Sequence, residues 1–363
     1  FPSELVKLAA QSVEGVVFLG SGVTAHISIL SQSLGLPVLI TRDPAVLSIR
    51  PGTSLLLDAD RGLLHVAPGT DTLEAFRAAE ESTEEAPAAP AGPSASETKC
   101  GTRVRVMANV NILGDVRAAR ETGADGIGLY RSEFPFIIRN DFPSEDEQYQ
   151  IYRKIVNQME GQTVVLRTAD IGGDKLVDGS SPREQNPFLG VRGIRFSLAN
   201  RHLFRDQLRA MLRAGADAGL HIMFPMVSSV EEIQSAREEV AGCIAQLRRE
   251  GIPHNATPKL GAMVELPSAV EAIEDMAHSC DFLSIGTNDL VMYLLAVDRT
   301  NERLSELYRD YHPAVLRVLK RIADGVGSRI GNVSVCGDSA ANPGMLPFYL
   351  GLGIRKLSLS PSR

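Results

Sequence analysis

Gly-Ala-Met-Val-Glu at residues 261–265 and Phe-Leu-Ser-Ile-Gly-Thr-Asn-Asp at residues 282–289 are two short apolar runs, and each ends in a carboxylate. Neither run alternates strictly between apolar and polar residues, which is typical of parallel strands covered on both faces. The carboxyl ends of parallel strands lie at one edge of a sheet or barrel. We therefore expect Glu265 and Asp289 to lie side by side.

Similar runs recur through the rest of the chain. Eight strands are predicted, at 103–110, 126–130, 164–168, 221–227, 259–266, 282–287, 332–337 and 356–360. The segments between them have helical periodicity, clearest over 230–247 and 313–322. Eight strand and helix units in about 260 residues match an α/β fold of the (β/α)8 TIM-barrel type, and an open doubly wound sheet is the competing architecture. The long connection from 169 to 220 is expected to cross the catalytic face.

A small domain precedes the barrel. Strands are predicted at 13–19, 36–40, 54–58 and 63–67, and helices at 24–34 and 70–82. The composition indicates a small α/β domain over residues 1–68, a helical and Pro/Ala-rich linker over 69–100, and the barrel over 101–363. A linker of this composition builds no core, so we expect the first domain to swivel relative to the barrel.

Composition excludes several classes of function. The 363 residues carry a net charge of −7, no Trp and no basic run, which argues against a nucleic-acid surface. No run of 18 apolar residues and no signal peptide is present, so a cytoplasmic protein without membrane attachment is predicted. The four cysteines form no CxxC pair, so neither a zinc site nor a disulfide framework is indicated.

The carboxylates and arginines at the strand ends suggest a charged ligand. Mg²⁺ favours one or two carboxylates, with phosphate and water completing its shell, so Glu265 and Asp289 are candidate ligands. The alternative is that each caps a helix or pairs with an arginine. Four arginines reach the same barrel face from separate segments, which favours an anion of more than one charge. They are Arg131, Arg167, Arg192 and Arg299, with Lys175 as a weaker candidate whose loop could place it in solvent.

Two further residues could take part in chemistry. Cys336 ends an apolar strand and could donate a proton, although a small buried thiol is the alternative. His26 is predicted at the start of a helix behind Gly20-Ser21-Gly22, where the helix dipole favours a neutral, nucleophilic imidazole. A capping or core histidine is the alternative reading of His26.

Longer motifs surround these residues. They are Gly-Leu-Tyr-Arg-Ser-Glu-Phe (128–134), Leu-Arg-Thr-Ala-Asp-Ile-Gly-Gly-Asp-Lys (166–175), Asn-Pro-Phe-Leu-Gly-Val-Arg (186–192), Ile-Met-Phe-Pro-Met-Val (222–227), Ser-Ile-Gly-Thr-Asn-Asp-Leu (284–290), Ala-Val-Asp-Arg (296–299) and His-Pro-Ala-Val-Leu (312–316). Together they resemble the enzyme I family of the sugar and nitrogen phosphotransferase systems, over nearly the whole chain. The related dikinases, pyruvate phosphate dikinase and phosphoenolpyruvate synthase, share the Gly-Thr-Asn-Asp and Cys-Gly elements. They are not expected to carry the string at 170–175.

The resemblance implies phosphoenolpyruvate chemistry. It implies that Glu265 and Asp289 bind Mg²⁺, that His26 attacks phosphorus, and that Cys336 protonates the departing enolate to give pyruvate. The residues implied to bind phosphoenolpyruvate are Arg131, Arg167, Lys175, Arg192, the backbone of Asn288, and Arg299. The phosphoryl group would then pass to a small HPr-like carrier protein. A homodimer formed through the barrel is also expected from the family.

The sequence departs from the family pattern at several points. Ala25 stands where a serine usually precedes the histidine, Ser31-Gln32 where Ala-Arg is common, and Asp338 where a glutamate is usual. The resemblance also implies that the chain is truncated and lacks the helical subdomain that docks the carrier. Two other readings stay open: a dikinase-like enzyme working with a nucleotide-binding partner, and a phosphoenolpyruvate-binding regulatory module without turnover.

Overall fold

The computed structural model describes residues 8, 13–20, 31, 36–59, 61–84, 96–134, 136, 142–172, 184–299 and 301–361. It divides into two compact units, Phe1–Gly92 and Pro93–Arg363. Most of the helix predicted over 24–34, including His26, and the Pro/Ala-rich stretch at 85–94 lie outside the described residues.

The first unit contains two pairs of short strands. Strands β1 (Val16–Leu19) and β2 (Val38–Thr41) are parallel, with Val16 opposite Val38. Strands β3 (Leu55–Asp58) and β4 (Leu63–Val66) are antiparallel. A 3₁₀ turn covers Pro44–Ser48, and helix α1 covers Thr70–Glu84. The four strands predicted here are confirmed, because each observed strand overlaps its predicted range.

The second unit is a closed parallel barrel. A two-residue strand, β5 (Ser96–Glu97), pairs antiparallel with the first barrel strand. The barrel strands are β6 (Arg103–Val110), β7 (Gly126–Arg131), β8 (Thr163–Arg167), β9 (Leu220–Phe224), β10 (Lys259–Val264), β11 (Phe282–Ile285), β12 (Val333–Val335) and β13 (Lys356–Leu359). Each pairs in parallel with the next, and β13 pairs with β6 to close the ring. The predicted (β/α)8 barrel is confirmed, and the open sheet is excluded.

Helices follow the barrel strands. Those in the described part of this unit are α2 (Leu113–Glu121), α3 (Glu145–Gln158), α4 (Ile194–Ala199), α5 (Arg201–Ala214), α6 (Val230–Glu250), α7 (Pro267–Glu271), α8 (Ile273–Ser279), α9 (Thr287–Leu295), α10 (Pro313–Val326) and α11 (Leu346–Gly351). Short 3₁₀ turns cover Pro187–Leu189, Glu302–Leu307, Gly327–Asn332 and Asp338–Ala341. None of the described helices is long and apolar enough to cross a membrane.

The strand alternation separates two apolar cores. A small inner cluster fills the barrel, and its members are Leu129, Val165, Met223, Met263 and Cys336. A much larger cluster lies between the strands and the surrounding helices, where Leu166 and Ile222 pack with Leu208 of α5. Because Leu208 is fully buried, we expect its truncation to alanine to cost about 2–5 kcal/mol of unfolding free energy.

Local sequence signals fix the ends of several helices. Ser144 and Glu147 form a reciprocal capping box at the start of α3, where the Ser144 N–H donates to Glu147 Oε2 at 2.9 Å. Helix α6 ends at Gly251, which adopts the left-handed conformation with φ of 68°.

Candidate active site

The structure brings most of the predicted site residues to the carboxyl end of the barrel. Arg131 and Arg167 are the last residues of β7 and β8, and Glu265 and Cys336 directly follow β10 and β12. Asp289 lies in the first turn of α9, immediately after β11. The parallel strands therefore collect cations and carboxylates at one mouth.

Arg192 lies at the centre of this group. It is 2% exposed, and its Nε and Nη2 donate to the two oxygens of Asp170, each at 2.8 Å. Nη2 also donates to Asp289 Oδ2 at 2.8 Å. The two carboxylates hold the pKa of Arg192 above its ordinary value against the opposing effect of burial. Arg192 is thus a cation held by two carboxylates and almost completely buried from solvent.

The loop geometry explains how Arg192 arrives there. Gly172 forms an isolated antiparallel bridge with Arg192, bringing the segment after β8 against the segment before α4. Gly172 has φ of 119°, and a Cβ at this position would overlap the Val191 carbonyl. Only glycine permits this approach at that backbone angle.

Arg167 is held by a second pair of carboxylates. Its Nη2 donates to Glu133 Oε1, and Asp170 Oδ2 lies 3.6 Å from the same nitrogen. Burial opposes the charge of Arg167, but Glu133 and Asp170 keep its pKa above the ordinary value. The sequence interpretation missed both acids, although each follows a strand-end arginine by two or three positions. Asking which residues neutralise buried arginines would have found them.

Two guanidinium nitrogens in this network have donor capacity left. Arg167 Nε and Arg192 Nη1 are buried, and neither has a hydrogen-bond partner among the described residues. A buried donor without a partner costs free energy, and a bound anion that accepts from it would offset that cost. The two free donors indicate that the mouth accepts an oxyanion.

Arg131 and Arg299 complete the cationic side. Burial and the neighbouring Arg167 lower the pKa of Arg131, while Glu133 and Asp338 oppose this shift. Arg299 Nη2 lies 4.0 Å from Asp289 Oδ1, and the Arg299 side chain is partly exposed. An anion at this mouth would relieve the repulsion between Arg131 and Arg167.

Glu265 is buried among other acids. Met226 N–H donates to Glu265 Oε1 at 2.6 Å, from a backbone with φ of 56° that a non-glycine residue rarely adopts. Burial, together with Asp289 and Asp170, raises the pKa of Glu265 to about 8 against the opposing effect of Arg167 and Arg192. Gly286 leaves room beside it, since a Cβ there would lie 2.8 Å from Glu265 Oε2.

These features fit a divalent cation held by two carboxylates. No cluster of three or more His, Cys, Asp or Glu that could hold a metal occurs among the described residues. A pair of carboxylates suits Mg²⁺, which keeps water and substrate oxygens as its other ligands. Burial first, and then Asp289 and Asp170, raise the pKa of Glu265, and a bound cation would offset both effects.

Asn288 is clamped from two sides. Its side chain exchanges two hydrogen bonds with Asp338: Asn288 Nδ2 donates to Oδ2 at 3.0 Å, and the Asp338 N–H donates to Asn288 Oδ1 at 2.7 Å. The Tyr308 hydroxyl donates to the Asn288 carbonyl at 3.0 Å. The backbone of Asn288 is therefore held at the mouth by two residues that the sequence interpretation did not assign to the site.

Cys336 lies at the top of the inner apolar cluster. It is 2% exposed, and burial raises the pKa of its thiol to about 11. Asn109 Nδ2 donates to the Cys336 carbonyl at 3.0 Å, which fixes the backbone. The thiol is therefore protonated at neutral pH, as a proton donor must be.

Two predicted site residues cannot be placed. His26 and Lys175 lie outside the described residues. Their roles remain predictions.

Fold and site together define a (β/α)8-barrel protein whose mouth is built to hold an oxyanion beside a pair of carboxylates. Residues 88–363 match the family model described as PEP-utilising enzyme, PEP-binding domain, and residues 1–62 match the PEP-utilising enzyme, mobile domain. The chain belongs to the PEP-utilising enzyme family.

Similarity to individual proteins is extensive. A phosphoenolpyruvate-protein phosphotransferase of Haemophilus influenzae is 40% identical over 362 residues, which are 99% of this chain and 63% of the relative. One from Listeria innocua is 35% identical over 364 residues, which are 99% of this chain and 64% of the relative. A solved citrate lyase structure from Burkholderia xenovorans aligns with a TM-score of 0.45 and 16% identity, over 72% of this chain and 74% of that one. The chain thus spans less than two thirds of the length of the two phosphotransferases.

Proposed function

We propose that this chain transfers the phosphoryl group of phosphoenolpyruvate to His26 with the help of Mg²⁺ and releases pyruvate. The observation that carries the proposal is the unused donor capacity of Arg167 and Arg192 beside the carboxylates of Glu265 and Asp289. A phosphate and a carboxylate on one small molecule would use both the cationic and the metal-binding halves of the mouth. The names of the relatives support this choice of substrate.

The cationic residues would bind and neutralise the substrate. In the proposal, Arg131, Arg167, Arg192, Arg299 and Lys175 contact its phosphate and carboxylate, and the Asn288 backbone adds a further contact. Phosphoryl transfer depends largely on positioning and on neutralising charge at the phosphoryl oxygens. Because Glu133 and Asp170 already hold Arg167 and Arg192, the main rearrangement expected on binding is loss of the contact between Arg192 and Asp289.

Glu265 and Asp289 would hold Mg²⁺. When bound, the ion supplies charge neutralisation at the phosphoryl oxygens. Arg192 donates to Asp289 in this structure. The Arg192 side chain must therefore turn from Asp289 toward the substrate when the cation arrives.

The proposed chemistry uses one residue from each domain. A ring nitrogen of His26 attacks phosphorus, a nitrogen–phosphorus bond forms, and the bond between phosphorus and the enol oxygen breaks. The enolate then takes the proton of the Cys336 thiol at its terminal carbon and becomes pyruvate. We further propose an HPr-like carrier as the next acceptor, a homodimer formed through the barrel, and a cytoplasmic location.

Single-turnover formation of pyruvate tests the proposal. The protein is mixed with phosphoenolpyruvate and Mg²⁺, and pyruvate is read out with lactate dehydrogenase. One equivalent is expected from the unaltered chain, and none from His26→Ala. Tight binding of phosphoenolpyruvate with no pyruvate from the unaltered chain would instead support a regulatory module.

A further inference from the structure

Two serine hydroxyls lie beneath Cys336 inside the barrel. Ser284 and Ser334 are opposite each other in the register of β11 and β12. Ser334 precedes Cys336 by two positions, so strand alternation points both side chains into the barrel. Ser284 is 1% exposed and lies opposite Met263 in the register of β10 and β11, and Met263 belongs to the inner apolar cluster that contains Cys336.

The hydrogen bond between the two serines runs from Ser334 to Ser284. Ser334 Oγ donates to Ser284 Oγ at 2.9 Å. A serine hydroxyl carries one hydrogen and two acceptor lone pairs, so Ser284 keeps its own hydrogen for another acceptor after accepting from Ser334. Burial raises the pKa of the Cys336 thiol, and Ser284 is close enough to lower it through its hydroxyl.

Backbone groups also hold the Cys336 sulfur in position. The Cys336 N–H donates to the Ile285 carbonyl at 3.1 Å, and the thiol points to the same carbonyl at 3.6 Å. Asn109, which holds the Cys336 carbonyl, itself accepts from Ser358 Oγ at 2.7 Å. A carbonyl oxygen accepts the hydrogen of a thiol. It cannot stabilise a thiolate, because it has no hydrogen to donate and its partial negative charge repels the sulfur anion. The Ser284 hydroxyl can.

We propose that Ser284 is a positioning residue for proton transfer at Cys336, donating a hydrogen bond to the thiolate that remains once the proton has moved to carbon. This inference rests on the proposed function. In the step, the S–H bond breaks, a C–H bond forms at the terminal carbon of the enolate, and the sulfur keeps the electron pair. Ser284 changes no covalent bond. Ser334 donates its hydrogen to Ser284 Oγ, which leaves the Ser284 hydrogen for the sulfur.

The reverse reaction isolates this step from His26. A thiolate that accepts a proton from pyruvate exchanges the methyl protons of pyruvate with solvent. ¹H NMR in D₂O follows this exchange for pyruvate with Mg²⁺ and inorganic phosphate. The variants are Ser284→Ala, Ser334→Ala and Cys336→Ala. Ser197→Ala is the matched control, because Ser197 is also a buried serine but lies on α4 outside the barrel.

Ser284→Ala is expected to slow exchange at least tenfold, because a hydrogen bond to a charged group is lost. The pyruvate concentration at half-maximal exchange should stay unchanged, since in the proposal Ser284 acts on the sulfur of Cys336 and not on pyruvate. If Ser284 had only a structural role, its substitution would change both the exchange rate and the pyruvate concentration at half-maximal exchange. Ser334→Ala should slow exchange less, Cys336→Ala should abolish it, and Ser197→Ala should leave it at the unaltered rate.

Two results would overturn the inference. In the first, Ser284→Ala exchanges at the unaltered rate while Cys336→Ala is inactive. This result would exclude a role for Ser284 and would leave the proposed function unchanged. The other is no exchange in the unaltered chain, which removes the thiol step as well. Phosphorylation of His26 in the same preparations shows separately whether the proposed phosphoryl transfer holds.

Discussion

Arg192 Nη2 donates to Asp289 Oδ2 at 2.8 Å, so a guanidinium occupies one oxygen of a carboxylate that is expected to bind magnesium. Asp170 holds the same guanidinium with two further hydrogen bonds. A cation entering alone must compete with Arg192, whereas a cation entering with an oxyanion offers Arg192 a replacement partner. Metal and substrate binding should therefore be coupled.

Removing Arg192 should tighten Mg²⁺ binding to the substrate-free protein. Arg192→Ala leaves Asp170, Asp289 and Glu265 without their central cation, so we expect Mg²⁺ to bind about tenfold more tightly and phosphoenolpyruvate more weakly. Isothermal titration calorimetry measures both affinities. Arg195→Ala is the control, because the Arg195 side chain is partly exposed and its Nε lies 3.9 Å from Glu232 Oε1. Weaker Mg²⁺ binding in Arg192→Ala would contradict the competition.

Asp170 should contribute more to stability than a comparable surface acid. Asp170→Asn removes the buried charge that balances Arg192 and Arg167, so we expect a loss of about 3 kcal/mol in unfolding free energy and weaker phosphoenolpyruvate binding. Asp217→Asn is a matched control, because Asp217 also makes a two-pronged contact with an arginine, Arg153, but on the surface. Urea unfolding should show a clearly smaller loss of unfolding free energy for Asp217→Asn than for Asp170→Asn. Equal losses in the two variants would contradict the burial argument.

His221, at the opposite end of the barrel, should make stability depend on pH. Burial, together with Lys259 and Lys356, lowers the pKa of His221 to about 4, while Asp281 opposes the shift. The unfolded chain binds this proton near pH 6.5, so the contribution of His221 is fully present above that pH and is lost as the pH falls toward 4.

The substitution His221→Gln should remove this dependence. Between neutral pH and about pH 4.5, the unaltered chain should lose roughly 1–3 kcal/mol more unfolding free energy than His221→Gln, after allowance for partial exposure. Urea unfolding at the two pH values measures the difference. Identical losses in both proteins would show that His221 titrates normally in the folded state.

The four cysteines should differ in reactivity. Cys100 is exposed, and hydrogen bonds from Thr98 and Thr102 lower the pKa of its thiol. Burial raises the pKa of Cys336 to about 11 and those of Cys243 and Cys280 to about 12. Iodoacetamide near neutral pH should therefore modify Cys100 first in the folded protein, as peptide mass spectrometry would show. Early modification of Cys336 would contradict its burial.

Much of the barrel could be predicted from the sequence because its strands are continuous apolar runs. The predicted range 103–110 coincides with β6, and the other seven strands differ from their predictions mainly at the ends. The strand-end positions of Arg131, Arg167, Glu265 and Cys336 followed directly from those runs.

The partners of these residues could not be predicted in the same way. Glu133 neutralises Arg167, and Asp170 neutralises Arg192. These pairings depend on which arginines are buried, and burial follows from packing between distant segments. The Ser284 and Ser334 pair depends on the register of β11 with β12, which the apolar pattern alone does not specify.

The central claim is that phosphoenolpyruvate delivers its phosphoryl group to His26. Intact mass spectrometry of the chain after mixing with phosphoenolpyruvate and Mg²⁺ tests it directly. The account predicts one acid-labile phosphoryl group per chain, absent when Mg²⁺ is chelated and absent in His26→Ala. An unmodified mass under conditions in which calorimetry shows saturated binding, or a phosphoryl group that persists in His26→Ala, would contradict it.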